Sequence, residues 1–251
     1  MLNLLRADFY KLRRSKSYWI SLGVLAAIVA YIGIDIGSLG DKKEELSPST
    51  IHWIYMMFKE KAFLPYFMPV FQGIFITMLI TKEYNTGTIK DSVSLGFSRW
   101  KIYFSKLITV SMGSILMMLS SAFVTGVTAI FVFGLYGAFS LQDLLLLLRM
   151  FLIHGLLYSA YSSIFLMTAF LIKNIGGALI FNIFFSLIIG SFASLFGNGY
   201  LVRILLISNF SPTAVPYPLG IDLKLAIAAA LSYLIICIGI GGVTFKILDI
   251  K

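Results

Sequence analysis

Apolar stretches close to twenty residues long recur along this 251-residue chain, and they leave little choice of fold. A helix rises about 1.5 Å per residue, so about twenty apolar residues cross a hydrocarbon core about 30 Å thick. The pattern predicts spans at about 17–37, 63–81, 107–134, 144–172, 175–196 and 224–245. The expected fold class is all-α, a polytopic integral membrane protein with six transmembrane helices. Charged residues make up 12% of the chain and hydrophobic ones 59%, whereas soluble domains carry about 25% charge. Basic residues precede the first span, but no small-residue cleavage motif closes it, so it reads as a retained helix. The single cysteine, Cys237, falls inside an apolar run and offers no disulfide within the chain.

Orientation follows from Lys and Arg. With the N-terminus inside, the cytoplasmic face holds Arg6, Lys11, Arg13, Arg14 and Lys16 before the first span. Lys82, Lys90, Arg99, Lys101 and Lys106 lie between the second and third spans, Lys173 between the fourth and fifth, and Lys246 and Lys251 after the sixth. That is the larger share of the 20 basic residues, and it places both termini in the cytoplasm. The net charge of +9 is then cytoplasmic loop charge, and no nucleic-acid partner is expected. One transmembrane domain, 1–251, is expected, with a long outer loop at 38–62. An outer segment at 197–223 is broken by Pro212, Pro216 and Pro218. Its apolar middle predicts a short re-entrant or interfacial helix packed on the outer ends of the spans.

Between the second and third spans runs "ITKEYNTGTIKDSVSLGFSRWKIYFSKL". Glu83 follows the end of the span, and Gly87 marks a turn. Thr88 to Asp91 has the capping-box pattern of a helix start. Gly96 ends that short helix, and Ser98 is placed to cap a second one running into the third span. The result is a structured cytoplasmic corner, 82–106, suited to docking against another protein. At the N-terminus, 1–16 reads as an amphipathic helix with Leu2, Leu5, Phe9 and Leu12 on one apolar face and Arg6, Lys11, Arg13 and Arg14 around it.

Glu83-x-x-x-Gly87-Thr88-Ile89-Lys90, followed by Gly96-x-Ser98-Arg99-x-x-Ile102-x-x-Ser105-Lys106, resembles the segment after the second span of ABC-2-type (type V) ABC transporter permeases. The basic N-terminal helix is similar to that family's elbow, and the resemblance extends over the six-span topology. Among relatives of this length it is nearest to Gram-positive peptide exporters: lantibiotic-immunity, bacitracin-resistance and phenol-soluble modulin permeases. The resemblance implies a bacterial cell-membrane permease that pairs with a second permease chain as a homodimer and works with two copies of a separate ATPase. ATP and Mg would be bound by that ATPase, and this chain has no G-x-x-x-x-G-K-[ST] loop of its own. It further implies that 82–106 is a coupling helix, with Glu83, Gly87, Thr88, Ile89, Lys90, Ser98, Arg99 and Lys106 as its working residues. Glu83 is expected to pair with Arg13 or Arg14, and Leu5, Phe9, Leu12, Arg13 and Arg14 form the elbow.

The second and fifth spans are rich in Phe and Met, an adaptable lining for an amphipathic peptide cargo. By the same resemblance Phe71, Phe75, Met78, Phe181, Asn182, Phe185 and Ser186 are the expected pathway residues. Two alternatives remain at this point: an exporter of hydrophobic small molecules or lipids, and a membrane scaffold or sensor without transport. An enzyme is not expected, for want of any nucleophile–base pair, H-E-x-x-H or Cys/His cluster. His154 and Arg149 on the fourth span read as structural, as do Gly239, Gly241 and Gly242 through close helix packing.

Overall fold

A computed structural model of the chain describes residues 1–38, 50–59, 63–133, 141–196, 204–215 and 219–247. Those residues are helical with short turns and include no strand. The helices are α1 (Leu2–Arg14), α2 (Lys16–Ser38), α3 (Thr50–Met57), α4 (Phe63–Asn85), α5 (Thr88–Ser94), α6 (Arg99–Phe133), α7 (Leu141–Ile172), α8 (Ile175–Phe196), α9 (Phe210–Thr213) and α10 (Gly220–Ile247). Five of them, α2, α4, α6, α7 and α10, are long and apolar enough among their described residues to cross a membrane. The sixth expected span is α8, whose described apolar stretch is shorter, Ile175–Ile189. The six-span expectation therefore stands at five plus one shorter apolar helix. Several helices overrun their expected limits: α4 continues to Asn85, and α6 starts at Arg99 rather than near 107.

The long helix α7 is the hub. It packs against α10, α6, α4 and α8, and its second half is buried on almost every side. Leu144, Leu145, Leu148 and Leu152 of its first half are exposed, but hydroxyls in the buried half find partners only inside the protein. Ser159 and Ser162 donate to carbonyls of their own helix, and Ser162 also shares a 2.7 Å hydrogen bond with Ser114 of α6, while the Tyr158 hydroxyl has no partner among the described residues. Between α7 and α8 the chain turns on two residues. Lys173 takes a positive φ of 54°, and the Asn174 side chain accepts the Gly176 amide at 2.9 Å, capping α8.

In the two segments expected on the outer side, described residues are buried. Helix α3, inside the expected outer loop, packs against α6 and buries Trp53, Tyr55 and Met57, and Phe58 just after it packs on Phe151 and His154 of α7. The 3-10 turn Leu206–Asn209 and α9 pack on α7 and α10. This described part of 197–223 is a buried insert, and 197–203 and 216–218 lie outside the described residues. His154 meets the Thr213 hydroxyl at 3.0 Å, and Arg149 donates to the Val215 carbonyl at 3.3 Å. The two side chains thus tie the end of this insert to α7, His154 through a hydroxyl and Arg149 through a carbonyl.

Gln72, on α4, is fully buried, and neither end of its amide has a hydrogen-bond partner among the described residues. An unpaired buried polar group costs about 1–3 kcal/mol. Gln72→Met, similar in length and without the amide, is therefore expected to raise stability by about 1 kcal/mol or more in thermal unfolding. A fall in Tm instead would mean that the folded chain does satisfy this amide.

Candidate functional site

Helices α4, α5 and α6 build the corner expected to face the cytoplasm, and two glycines set its shape. Gly87, at φ 72°, precedes α5, and Gly96, at φ 84°, follows it. A left-handed residue is steeply unfavourable for any side chain but cheap for glycine. At Gly96 the closure is a Schellman motif: the Gly96 amide donates to Val93 and the Phe97 amide to Ser92. The expected capping box does not form. Gly87 is the cap residue of α5, and the Thr88 hydroxyl points back to the Glu83 carbonyl at 3.2 Å. Because Thr88 is already the first helical residue, its hydroxyl is free to tie α5 to the end of α4. Ile89 anchors α5 in the bundle at 1% exposure. Lys90 and Asp91 face outward, and Leu95 is 77% exposed at the tip.

Beneath the corner lies a cluster of four charges. Lys106 of α6 pairs with Asp8 of α1 at 2.5 Å and also with Glu83 of α4. Asp8 additionally accepts the Ser105 hydroxyl at 2.5 Å, and Lys11 reaches Glu83 at 3.3 Å. Asp8, Lys106 and Glu83 are almost wholly buried, and Lys11 is partly exposed. Two carboxylates and two ammonium groups balance, which is what lets charge persist out of water. Three helices are thereby locked together: the N-terminal helix, the end of α4 and the start of α6.

The partner expected for Glu83 was Arg13 or Arg14; the structure places Lys106 and Lys11 there instead. The reason lies in the phase of α1. Its buried residues are Leu4, Asp8 and Leu12, four apart, with Leu12 lying over Gly113 of α6. Leu2 and Phe9 are exposed, so the apolar face read from the sequence is turned mostly away from the bundle, and Arg13 and Arg14 turn away with it. Asp8 was not singled out from the sequence. The available signal was one acid on a strongly basic helix, set midway between two leucines at four-residue spacing.

Arg99 also has a role that spacing did not reveal. Its guanidinium donates to the Phe245 carbonyl at 3.1 Å and the Lys246 carbonyl at 2.8 Å, capping the C-terminal end of α10. One turn further, Trp100 and Tyr103 lie against Gly242 and Gly241 so closely that a Cβ at either glycine would overlap them. The Tyr103 hydroxyl then donates to the Cys237 carbonyl at 3.1 Å. Gly239 touches nothing comparable. Ser98 sits just before α6, its carbonyl accepting from the Ile102 amide at 3.2 Å.

The residues expected to line a pathway fall into two groups. Asn182 and Ser186 of α8 are buried with Ala178 in a narrow stripe against α4. There Asn182 donates to the Thr77 hydroxyl at 2.8 Å and accepts from Thr168 at 2.7 Å, tying α4, α7 and α8 together. Phe75 is also interior, with its ring edge-on to Tyr18 of α2 at 5.3 Å. Met78 and Phe181 are exposed on the surface of the chain, and Phe71 and Phe185 are partly exposed. Among the described residues no group of three or more His, Cys, Asp or Glu is placed to hold a metal ion.

Residues 4–190, well over half of the chain and including the charge cluster and the corner, match the family model described as ABC-2 family transporter protein. No curated protein matches the chain significantly.

Proposed function

Because the chain belongs to the ABC-2 transporter family, and so is the multi-pass cell-membrane permease of an ABC transporter without an ATPase domain of its own, we propose that α5 and its flanks couple it to that ATPase. The family implies an ABC ATPase partner. One observation carries the coupling reading: the corner exposes Lys90, Asp91 and Leu95 while its root, Glu83, is locked to α1 and α6. A push on α5 is transmitted because its base cannot shear independently of three helices. Gly87, Thr88 and Ile89 hold α5 at a fixed angle to α4. Lys106 and Arg99 pass the displacement to α1 and to α10.

In this reading two copies of the chain pair across the membrane, and two ATPases bind ATP and Mg beneath them. The cargo is an amphipathic peptide. The surface residues Phe67, Met78, Phe181 and Phe184 support this choice, being bulky, adaptable and poor in hydrogen-bonding groups. A toxin or antimicrobial peptide exported from the cytoplasm or the membrane has this chemistry.

The test is purification of the tagged chain in mild detergent from its native cells. A stoichiometric ATPase is expected to accompany it. Leu95→Asp, which changes only an exposed tip, should weaken that association on the order of tenfold, as loss of an apolar interface anchor does. Retention of the ATPase at full strength would remove α5 from the interface. Amphipathic peptides should then raise ATP turnover in the reconstituted complex; stimulation by hydrophobic drugs or lipids alone would reassign the cargo to that class.

A further inference from the structure

At about 100° per residue the side chains of α1 fall into three arcs. Leu4, Asp8 and Leu12 form the buried arc, with Lys11 at its edge. Leu5, Phe9 and Leu2 follow around the helix, and Leu2 and Phe9 are exposed. Arg13 and Arg6 come next, and Tyr10 and Arg14 complete the turn, with the Arg14 guanidinium 4.7 Å from the Tyr10 ring centre. The one carboxylate on this helix, Asp8, is committed to Lys106 and Ser105. Among the described residues Arg6, Arg13, Arg14 and Lys16 have no carboxylate at ion-pair distance. Four cations thus have no counter-charge among the described residues, and two of them, Arg6 and Arg13, border the exposed apolar stripe.

The depth of the helix identifies what they meet. Tyr18, near the start of α2, donates to the Gly113 carbonyl at 3.2 Å. Asp8 is held at Ser105 and Lys106, seven residues earlier on α6 than Gly113, which is about 10 Å toward the cytoplasm. The headgroup layer is about 5–8 Å thick on each side of the hydrocarbon core. The candidate span of α2 begins at Lys16, two residues after α1 ends at Arg14, so α1 lies where the first span leaves the bilayer. The corner between α1 and α2 is pinned there by Trp19, whose indole N–H donates to the Arg13 carbonyl at 2.7 Å while the ring stays exposed, as interfacial tryptophans do.

We propose that the Arg6, Arg13 and Arg14 arc of α1 is a binding site for anionic phospholipid headgroups of the cytoplasmic leaflet. Leu2, Leu5 and Phe9 enter the acyl boundary, the Arg6 and Arg13 guanidinium groups beside them bind phosphate with forked donors, and Arg14, over the Tyr10 ring, extends the arc. A merely solvated basic face gives no reason for cations to adjoin the apolar stripe. The site rests on membrane location alone and is independent of the cargo and of the ATPase.

The test uses the full chain in neutral detergent, titrated with short-chain phosphatidylglycerol or phosphatidylcholine. Retained lipid is counted by native mass spectrometry, and Tm is followed in parallel. Phosphatidylglycerol is expected to be retained in preference and to raise Tm, with retention falling as salt is added. The Arg6→Gln, Arg13→Gln, Arg14→Gln triple variant should lose tenfold or more of that affinity, in roughly the measure that three surface cations contribute. Should that variant fail to fold, Arg6→Gln and Arg13→Gln taken singly carry the same comparison, each with a smaller loss. Equal retention of phosphatidylcholine, or undiminished phosphatidylglycerol binding by the variants, overturns the proposal. So does an equal rise in Tm with inorganic phosphate, which would make the arc a general anion patch.

Discussion

Lys106→Met is expected to cost the folded chain about 3–5 kcal/mol, the usual penalty for stranding buried charge. Among the described residues Lys106 is the side chain that pairs with both Asp8 and Glu83. Without it Asp8 retains the Ser105 hydroxyl, and Glu83 retains the partly exposed Lys11 at 3.3 Å. Two carboxylates are then left under the corner with a single cation. Methionine keeps the length of the side chain, so the loss reflects charge rather than a cavity. Unfolding in detergent, by heat or by denaturant, measures it. Adding Asp8→Asn to Lys106→Met should recover part of the loss, because groups in direct contact do not act additively. If the two substitutions simply sum, the four charges are not a unit, and the account of how the corner is anchored fails with them.

Gly241→Ala is expected to have the second large effect. A Cβ there would overlap the Tyr103 hydroxyl and stand 2.8 Å from its Cζ. Tyr103 is fully buried and held by the Cys237 carbonyl, so it cannot swing aside as an exposed ring could. Overpacking of this kind typically costs about 1–3 kcal/mol. The ring belongs to the second turn of α6, just beyond the corner, so ATP-coupled activity should fall as well. Tyr103→Phe removes the nearest atom and should rescue Gly241→Ala in part, seen as a smaller drop in Tm for the pair than for the glycine variant alone. No rescue would show that the close approach of α6 and α10 is not what the glycine serves.

How much of this was legible in the sequence depends on how local the signal is. The long helices and the glycine punctuation of the corner follow from hydropathy and from residues that tolerate positive φ, both properties of short windows. The phase of α1 was not legible. In water an apolar stripe faces the core, but beside a bilayer part of it faces lipid, and the polar residue Asp8 is turned inward between Leu4 and Leu12. The same ambiguity affects α8, where Asn182 and Ser186 are stitched into the bundle while Phe181 and Phe184 lie outside. Hydropathy cannot separate a lipid-facing residue from a core one, because the two environments are alike to an apolar side chain. Partners far apart in the chain were also invisible: Arg99 caps α10 across 146 residues of sequence, and nothing near Arg99 announces it.

That bond to the far end of the chain bears on how such permeases can be recombined. Arg99, Trp100 and Tyr103 fit a surface made by Cys237, Gly241, Gly242, Phe245 and Lys246. The two stretches are encoded far apart yet form one joint. A chimera meant to accept a foreign ATPase by exchanging the corner alone inherits a mismatched last helix: larger residues where the rings must sit, or carbonyls left uncapped. Transplanting the corner means carrying residues 237–246 along with it.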